Sequence, residues 1–178
     1  AALARIAPAI GKYWICKRTP AFINEAQECL GGIGYVEENI LPRLYRQAPL
    51  NSIWEGSGNV QCLDVLRALH KEPESKAALF DLLHSAKGKN AFYDTHLQRL
   101  LDSFEDVTNL EIRSRLITEQ TALAMQGALL LNESDSVMAN TFCEARLGKQ
   151  QGLAYGTLPA NTPFLDIIKK GMLSCVKD

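Results

Sequence analysis

Three groups of residues that could take part in chemistry lie within 32 positions of the chain. They are a glycine-rich turn, GGIG at residues 31–34, a basic pair at Arg43 and Arg46, and the run WEGSGN at residues 54–59. The glycine turn follows a helical pattern rather than a strand, so it does not fit the dinucleotide fingerprint of a Rossmann fold. Two interpretations of it stay open: a helix C-cap, or a backbone that must approach a phosphate or a ring closely.

Glu55 is the most informative acidic residue. It follows Ile53 and Trp54, and a carboxylate that these side chains partly desolvate would bind a proton more tightly, as suits a general base. The helix that Ser57 is expected to cap acts in the opposite direction, because its N-terminus favours the charged form. A carboxylate that only helps to cap this helix is the alternative.

The other polar residues of this region have simpler explanations. Arg43 and Arg46 are expected to pair with Glu37 and Glu38 on a surface. The histidines have no metal-ligand spacing with cysteines or carboxylates, and Ser57 has no nearby histidine for a hydrolase triad.

The elements that position these residues are predicted to be helices. Apolar spacing predicts helices over 2–18 and 20–30, with a boundary or kink at Pro20, and another from Ser57 to about residue 69. Residues 31–56 lack a sustained helical period, apart from a turn around Pro42–Arg46, but are apolar and aromatic, so we expect an ordered, buried, irregular segment. A polar join at residues 70–75 separates two predicted domains, 1–70 and 71–178. Further helices are predicted over 75–86, 90–104, 107–131, 134–148 and 163–175.

Composition places the chain among globular proteins. It has 178 residues, 47% of them hydrophobic and 22% charged, with a net charge of −1. No apolar run approaches the ~18–20 residues of a transmembrane helix. Five cysteines without a paired spacing indicate reduced thiols and a cytoplasmic protein. Because the sequence starts without Met inside a helical pattern, we expect a C-terminal piece of a longer chain.

Three motifs in this order resemble the end of the acyl-CoA dehydrogenase fold: ECLGGIGY at 28–35, LPRLYR at 41–46 and WEGSGN at 54–59. The flanking runs KYWICKRTP and CLDVLRAL are most similar to the AidB-type, adaptive-response branch, which is related to isovaleryl-CoA dehydrogenases. The likeness is dense over residues 1–70. It implies an all-α fold, in which the last helices of the family's C-terminal four-helix-bundle domain are followed by an extra helical domain.

The resemblance also implies a reaction and a site. A base at Glu55 would remove the α-proton of an acyl-CoA thioester, while the β-hydrogen leaves as hydride to FAD and yields a trans-2-enoyl-CoA. Gly56 would lie beside the substrate. The family's quaternary structure implies a homotetramer, or at least a dimer, and electron-transfer flavoprotein is a possible redox partner. The positions matching FAD contacts, the first five toward a neighbouring subunit, are Glu28, Cys29, Leu30, Gly31, Gly32, Ser57, Gly58 and Asn59.

The sequence departs from the family in ways that carry expectations. Glu28 stands where many relatives have Gln, so its side chain is expected to point away from the FAD pyrophosphate. Ser57-Gly58-Asn59 replaces the commoner Thr-Ser-Gln, which would change the reach of the flavin contacts. The family's N-terminal helical and central β-domains are absent from this chain, so we expect the chain alone to hold FAD weakly and to be inactive.

Two other functions stay open. AidB-type proteins bind duplex DNA through a basic C-terminal domain, but residues 71–178 here sum to −2, which disfavours DNA binding. Arg113 with Arg115, or Lys169 with Lys170, could still form local patches. The third possibility is a helical oligomerisation module.

Overall fold

The chain folds into helices throughout the part that the structure describes. This computed structural model describes residues 2–133, 136–148, 152 and 154–172. The all-α prediction is confirmed: 78% of the described residues are helical, and none of them lies in a strand. In chain order the elements are α1 (Leu3–Leu30), α2 (Gly32–Tyr35), α3 (Leu41–Gln47), a 3₁₀ helix (Ala48–Ser52), α4 (Gly58–Lys71), α5 (Pro73–His84), α6 (Ala91–Glu105), α7 (Leu110–Glu133), α8 (Ser136–Leu147) and α9 (Phe164–Gly171).

The helix boundary predicted at Pro20 is wrong. Helix α1 is 28 residues long and continues through Pro20. A proline removes one backbone donor, but packing can outweigh that local cost, and α1 packs against α2, α3, the 3₁₀ helix and α4. The carbonyl that loses its helical donor at Pro20 is that of Cys16, and the hydroxyl of Thr19 donates to the neighbouring carbonyl oxygen of Ile15 at 2.7 Å.

The prediction of an irregular segment over residues 31–56 is also wrong in its local structure. Helices α2 and α3 and the 3₁₀ helix occupy most of it. The helical turn predicted around Pro42–Arg46 is confirmed as α3, whereas α2 and the 3₁₀ helix, of four and five residues, are too short to leave a periodic apolar pattern. The predicted helix over 163–175 is observed as Phe164–Gly171, and residues 173–178 lie outside the described residues.

One compact unit comprises Ala1–Asp81 and Leu100–Ala122. Its centre is the contact between α1 and α4. Ile6 and Ile10 on α1, and Cys62 and Val65 on α4, are at most 1% exposed. Their three- and four-residue spacing puts each pair on one face of its helix. Ile117 of α7 is also fully buried within this unit.

The second compact unit comprises Leu82–Arg99 and Leu123–Asp178. Its core includes Tyr93, which is fully buried and donates its hydroxyl to the carbonyl oxygen of Leu83 at 2.7 Å. Burial raises the pKa of the Tyr93 phenol well above its usual value. These compact units alternate along the chain, and the sequence division at residues 70 and 71 stays a prediction.

Alanine substitutions at two helical glycines, Gly11 and Gly127, are expected to change the stability of the chain in opposite directions. A Cβ at Gly127 would lie 2.9 Å from Tyr93 Cδ2 and 3.2 Å from Leu147 Cδ1, whereas a Cβ at Gly11 meets nothing within 4 Å. We expect Gly11→Ala to stabilise the chain by about 0.5–1 kcal/mol, because alanine loses less backbone entropy in a helix. We expect Gly127→Ala to destabilise it by about 1–2 kcal/mol through overpacking. Urea denaturation followed by circular dichroism measures both, and a gain in stability for Gly127→Ala would contradict the packing described.

Candidate functional site

Glu55 lies in the short loop between the 3₁₀ helix and α4. Its backbone has φ 51°, in the left-handed region that residues other than glycine rarely adopt, and the following Gly56 has φ 100°. The Glu55 side chain is exposed, and Ile53 and Trp54 are 65% and 53% exposed. The desolvation that we expected from these two neighbours therefore does not occur within this chain.

A lysine from helix α1 holds this loop. The Lys12 ammonium donates hydrogen bonds to the backbone carbonyl oxygens of Trp54, Glu55 and Gly56, the last two at 2.8 and 2.9 Å. The side-chain amide of Gln61 also donates to the carbonyl oxygen of Glu55, at 3.0 Å. A left-handed non-glycine residue costs about 1–3 kcal/mol. Hydrogen bonds to a charged group contribute about 1.5–3 kcal/mol each when desolvated, enough to offset that cost even after a reduction for partial exposure.

The first turn of α4 follows directly. Ser57 occupies the N-cap position, as predicted, and its carbonyl oxygen accepts the first helical hydrogen bond from Gln61 N at 3.0 Å. Its side-chain hydroxyl makes no capping hydrogen bond. The side-chain oxygen of Asn59 accepts from Arg115 Nε at 2.7 Å. Gly58 is buried and lies close to the Lys17 side chain: a Cβ added at Gly58 would be 2.7 Å from Lys17 Cε.

The glycine turn ends helix α1. Gly31 has φ 62° and donates its backbone N–H to the carbonyl oxygen of Glu28 at 3.0 Å, so the C-cap interpretation holds for this residue. Gly34 is required by close packing, since a Cβ would lie 2.3 Å from the carbonyl oxygen of Gln27. Gly32 has neither a positive φ nor a neighbour within 4 Å of a Cβ. Among the residues that the structure describes, none therefore requires glycine at position 32.

The three residues before the turn are exposed. Cys29 and Leu30 present their side chains at the surface, and Leu30 is 51% exposed. The Glu28 carboxylate accepts a hydrogen bond from the side-chain amide of Asn24 at 2.8 Å. Its charge is thus directed back along helix α1, and its orientation relative to an FAD pyrophosphate stays a prediction.

The pairing predicted for Arg46 is confirmed. Its guanidinium forms a bidentate ion pair with Glu37, at 2.6 and 3.0 Å, and this contact lowers the pKa of the Glu37 carboxyl. Both side chains are more than half exposed, so the pair contributes little to stability. Arg43 is exposed and makes no ion pair among the described residues.

The arginines considered for a DNA-binding patch are engaged within the chain. Arg113 donates to the carbonyl oxygens of Asp106 and Thr108 and forms an ion pair with the Asp106 carboxylate at 3.3 Å. Arg115 is the residue that donates to Asn59. Neither side chain stands as an isolated cation, so this pair gives DNA binding no additional support.

The described part of the chain contains neither a cluster of metal-ligand residues nor a helix that could span a membrane. No group of three or more His, Cys, Asp or Glu residues there could hold a metal ion. No helix there combines the length and the apolar composition needed to cross a bilayer.

Residues 30–54 expose ten large apolar side chains, contrary to the burial expected for residues 31–56. Because most of the short elements of this segment pack on α1 through few side chains, the remaining apolar side chains face outward. Exposed patches of this kind mark interaction surfaces. This surface, called the open face below, comprises Leu30, Ile33, Tyr35, Val36, Ile40, Leu44, Tyr45, Leu50, Ile53 and Trp54.

Residues 1–70, which contain all of these features, match the family model described as acyl-CoA dehydrogenase, C-terminal domain. The chain is 44% identical over 154 residues to AidB of Escherichia coli (strain K12), which is named as an acyl-CoA dehydrogenase. That alignment covers 84% of this chain. Residues 1–70 belong to the C-terminal domain of the acyl-CoA dehydrogenase family. The resemblance seen in the sequence is thereby confirmed.

Three further comparisons agree. Acyl-CoA dehydrogenase family member 11 of Caenorhabditis elegans is 30% identical over 127 residues, covering 71% of this chain and 20% of that protein. The crystal structure of C. elegans ACDH-11 in complex with C11-CoA superposes with a TM-score of 0.64 at 27% identity, over 80% of this chain and 27% of that one. A structure named Bd2924 apo-form gives a TM-score of 0.59 at 31% identity, over 73% of this chain and 25% of that one. The chain spans 27% of AidB and 20% of family member 11, about a quarter of these relatives.

Sequence reasoning missed two residues that hold the acyl-CoA dehydrogenase motif in place. Lys12 contacts the loop across 42–44 positions of sequence, and Arg115 contacts Asn59 across 56. A lysine or arginine on a helix has the pattern of a solvated surface charge. No local signal could therefore have indicated either contact.

The cysteines provide a test of these surfaces. Cys29 is exposed, whereas Cys62 and Cys143 are fully buried. Burial raises the pKa of both buried thiols, that of Cys143 to about 11. With iodoacetamide at pH 8 and peptide mapping by mass spectrometry, we expect Cys29 to be alkylated at least about 100-fold faster than Cys62 or Cys143, because both access and thiolate fraction are lower in the core. Denaturant should abolish the difference. Equal rates in the native chain would contradict the burial described.

Proposed function

We propose that this chain is the C-terminal part of an FAD-dependent acyl-CoA dehydrogenase that converts acyl-CoA to trans-2-enoyl-CoA, with Glu55 as the general base. The observation that carries the proposal is the Glu55 loop. An exposed carboxylate lies on a backbone that Lys12 and Gln61 fix, directly before α4, within the residues that match the family domain. A fixed backbone with a free side chain suits a group that must reach a substrate.

The chemistry assigned to this chain is a proton transfer. The C–H bond at the α-carbon of the thioester breaks, and the proton passes to a carboxylate oxygen of Glu55. The electron pair of the broken bond forms the new double bond as the β-hydride departs. FAD, when bound, supplies the acceptor for that hydride. The exposure of Glu55 in this chain means that water must be excluded by the acyl-CoA and by the rest of the protein.

The residues present fit an FAD site. Gly32 has open space where a side chain would be and no internal reason to be glycine, as expected where a backbone approaches a ligand. The Ser57 hydroxyl is free of any capping bond at the N-terminus of a 14-residue helix. We assign Gly31, Gly32, Cys29 and Leu30 to the FAD of a neighbouring subunit, and Ser57, Gly58 and Asn59 to a flavin. The backbone at Glu28, rather than its tethered carboxylate, would contact the cofactor.

The substrate and partners follow from the same family. The C. elegans relative was solved with C11-CoA, which supports an acyl-CoA substrate here, and we place Gly56 beside its thioester. The open face supports burial against other domains or subunits, consistent with a homotetramer in the cytoplasm and electron-transfer flavoprotein as redox partner. An isolated chain with this face exposed is expected to be inactive. DNA binding remains the alternative for the AidB-type branch.

The role of Glu55 can be tested by anaerobic titration of the full-length flavoprotein with isovaleryl-CoA and straight-chain acyl-CoAs. We expect rapid loss of flavin absorbance in the wild type. Glu55→Gln should slow this bleaching at least about 10³-fold, because an amide cannot accept the α-proton. Glu38→Gln is the matched control, since it removes an exposed carboxylate of the same region without touching the loop.

Two results would contradict the proposal. Bleaching at the wild-type rate in Glu55→Gln would show that another group removes the proton. Full FAD occupancy without bleaching by any thioester would exclude acyl-CoA dehydrogenase activity and favour the DNA-binding alternative.

A further inference from the structure

We infer that Lys12 is a positioning residue for the Glu55 base: its ammonium organises the three carbonyls of residues 54–56 and thereby sets where the Glu55 carboxylate can reach. This inference rests on the proposed function for its catalytic part. Its structural part, the anchoring of the loop, does not.

The geometry uses the full donor capacity of the side chain. A lysine ammonium has three N–H donors, and three successive carbonyl oxygens, those of Trp54, Glu55 and Gly56, accept hydrogen bonds from Lys12. Three consecutive carbonyls converge on one point only if the backbone curls. The positive φ values of Glu55 and Gly56 are that curl.

The anchor point is itself rigid. Lys12 precedes Tyr13, which is 8% exposed and belongs to the buried stripe of α1 that packs against α4. The Lys12 side chain therefore connects the loop to α1, the helix that packs against α4 in the core of this unit. The backbone N–H of Trp54 donates to the carbonyl oxygen of Leu50 at 3.1 Å, which closes the loop on its other side.

The amide of Gln61 cannot replace this contact. Gln61 Nε2 donates to the carbonyl oxygens of Glu55 and Gly56 at 3.0 and 3.3 Å, but it carries no charge and does not contact the carbonyl oxygen of Trp54. Without the ammonium, the carbonyl of residue 54 loses its side-chain partner and the left-handed conformation of Glu55 loses its main support. The Glu55 carboxylate would then sample positions away from the α-carbon, and a displacement of about 1 Å is enough to slow catalysis about 100-fold.

The test uses the full-length flavoprotein with Lys12→Met, which keeps the aliphatic stem and removes the donors, and with Lys12→Arg, which keeps charge and donors. Lys71→Met at the exposed end of α4 is the matched control. Amide hydrogen exchange of residues 51–57 reports the anchoring without any substrate. We expect several-fold faster exchange there in Lys12→Met alone, with partial restoration in Lys12→Arg and unchanged thermal stability in the control.

The catalytic part is read from flavin reduction by the thioester that bleaches the wild type. In Lys12→Met the limiting reduction rate should fall about 10–100-fold with the thioester Kd unchanged. The isotope effect with α-deuterated thioester should rise as proton removal becomes more rate-limiting, and a general loss of stability would not produce that change.

Each outcome decides a separate claim. Unchanged amide exchange in Lys12→Met would overturn the anchoring, whether or not the protein is a dehydrogenase. Faster exchange with an unchanged reduction rate would overturn the positioning of the base while keeping the anchor. A wild type that no thioester bleaches would overturn the proposed function and the catalytic part together, and the exchange data would still decide the anchoring.

Discussion

The contact between α1 and α4 is the constraint on which the site depends. The apolar stripe of α1, with Ile6 and Ile10 fully or almost fully buried, packs on Cys62 and Val65 of α4. This packing holds the N-terminus of α4, and with it the Glu55 loop, against the first half of α1. The C-terminus of α1 carries the glycine turn, and the N-terminus of α4 follows the Glu55 loop. Arg5 reinforces the contact through an ion pair with Asp64 at 2.9 Å and lowers the pKa of that carboxyl.

The fold class and the motif positions could be predicted from sequence because they depend on local information. The helical period of α4 and the punctuation at Gly31 are properties of neighbouring residues, and the structure confirms an N-cap position at Ser57. The bidentate pair of Arg46 with Glu37 spans only nine positions and was predicted in the same way.

What the sequence did not predict depends on distant parts of the chain. Pro20 was expected to divide or kink a helix, but α1 continues through it and packs against four other elements of the chain. The apolar residues from Ile33 to Trp54 were expected to be buried, yet they form the open face. Apolar composition indicates that a side chain will be buried, but not whether the covering surface belongs to the same chain. Lys12 has no local signature at all.

The central claim is that the Glu55 carboxylate, held through its backbone by Lys12, removes the α-proton of an acyl-CoA. The most direct measurement is the structure of the full-length protein with FAD and an unreactive acyl-CoA analogue. We expect a Glu55 carboxylate oxygen about 3–3.5 Å from the α-carbon, with the Lys12 ammonium still bound to the carbonyl oxygens of residues 54–56. A different carboxylate at the α-carbon, or Glu55 directed into solvent with the analogue in place, would contradict it.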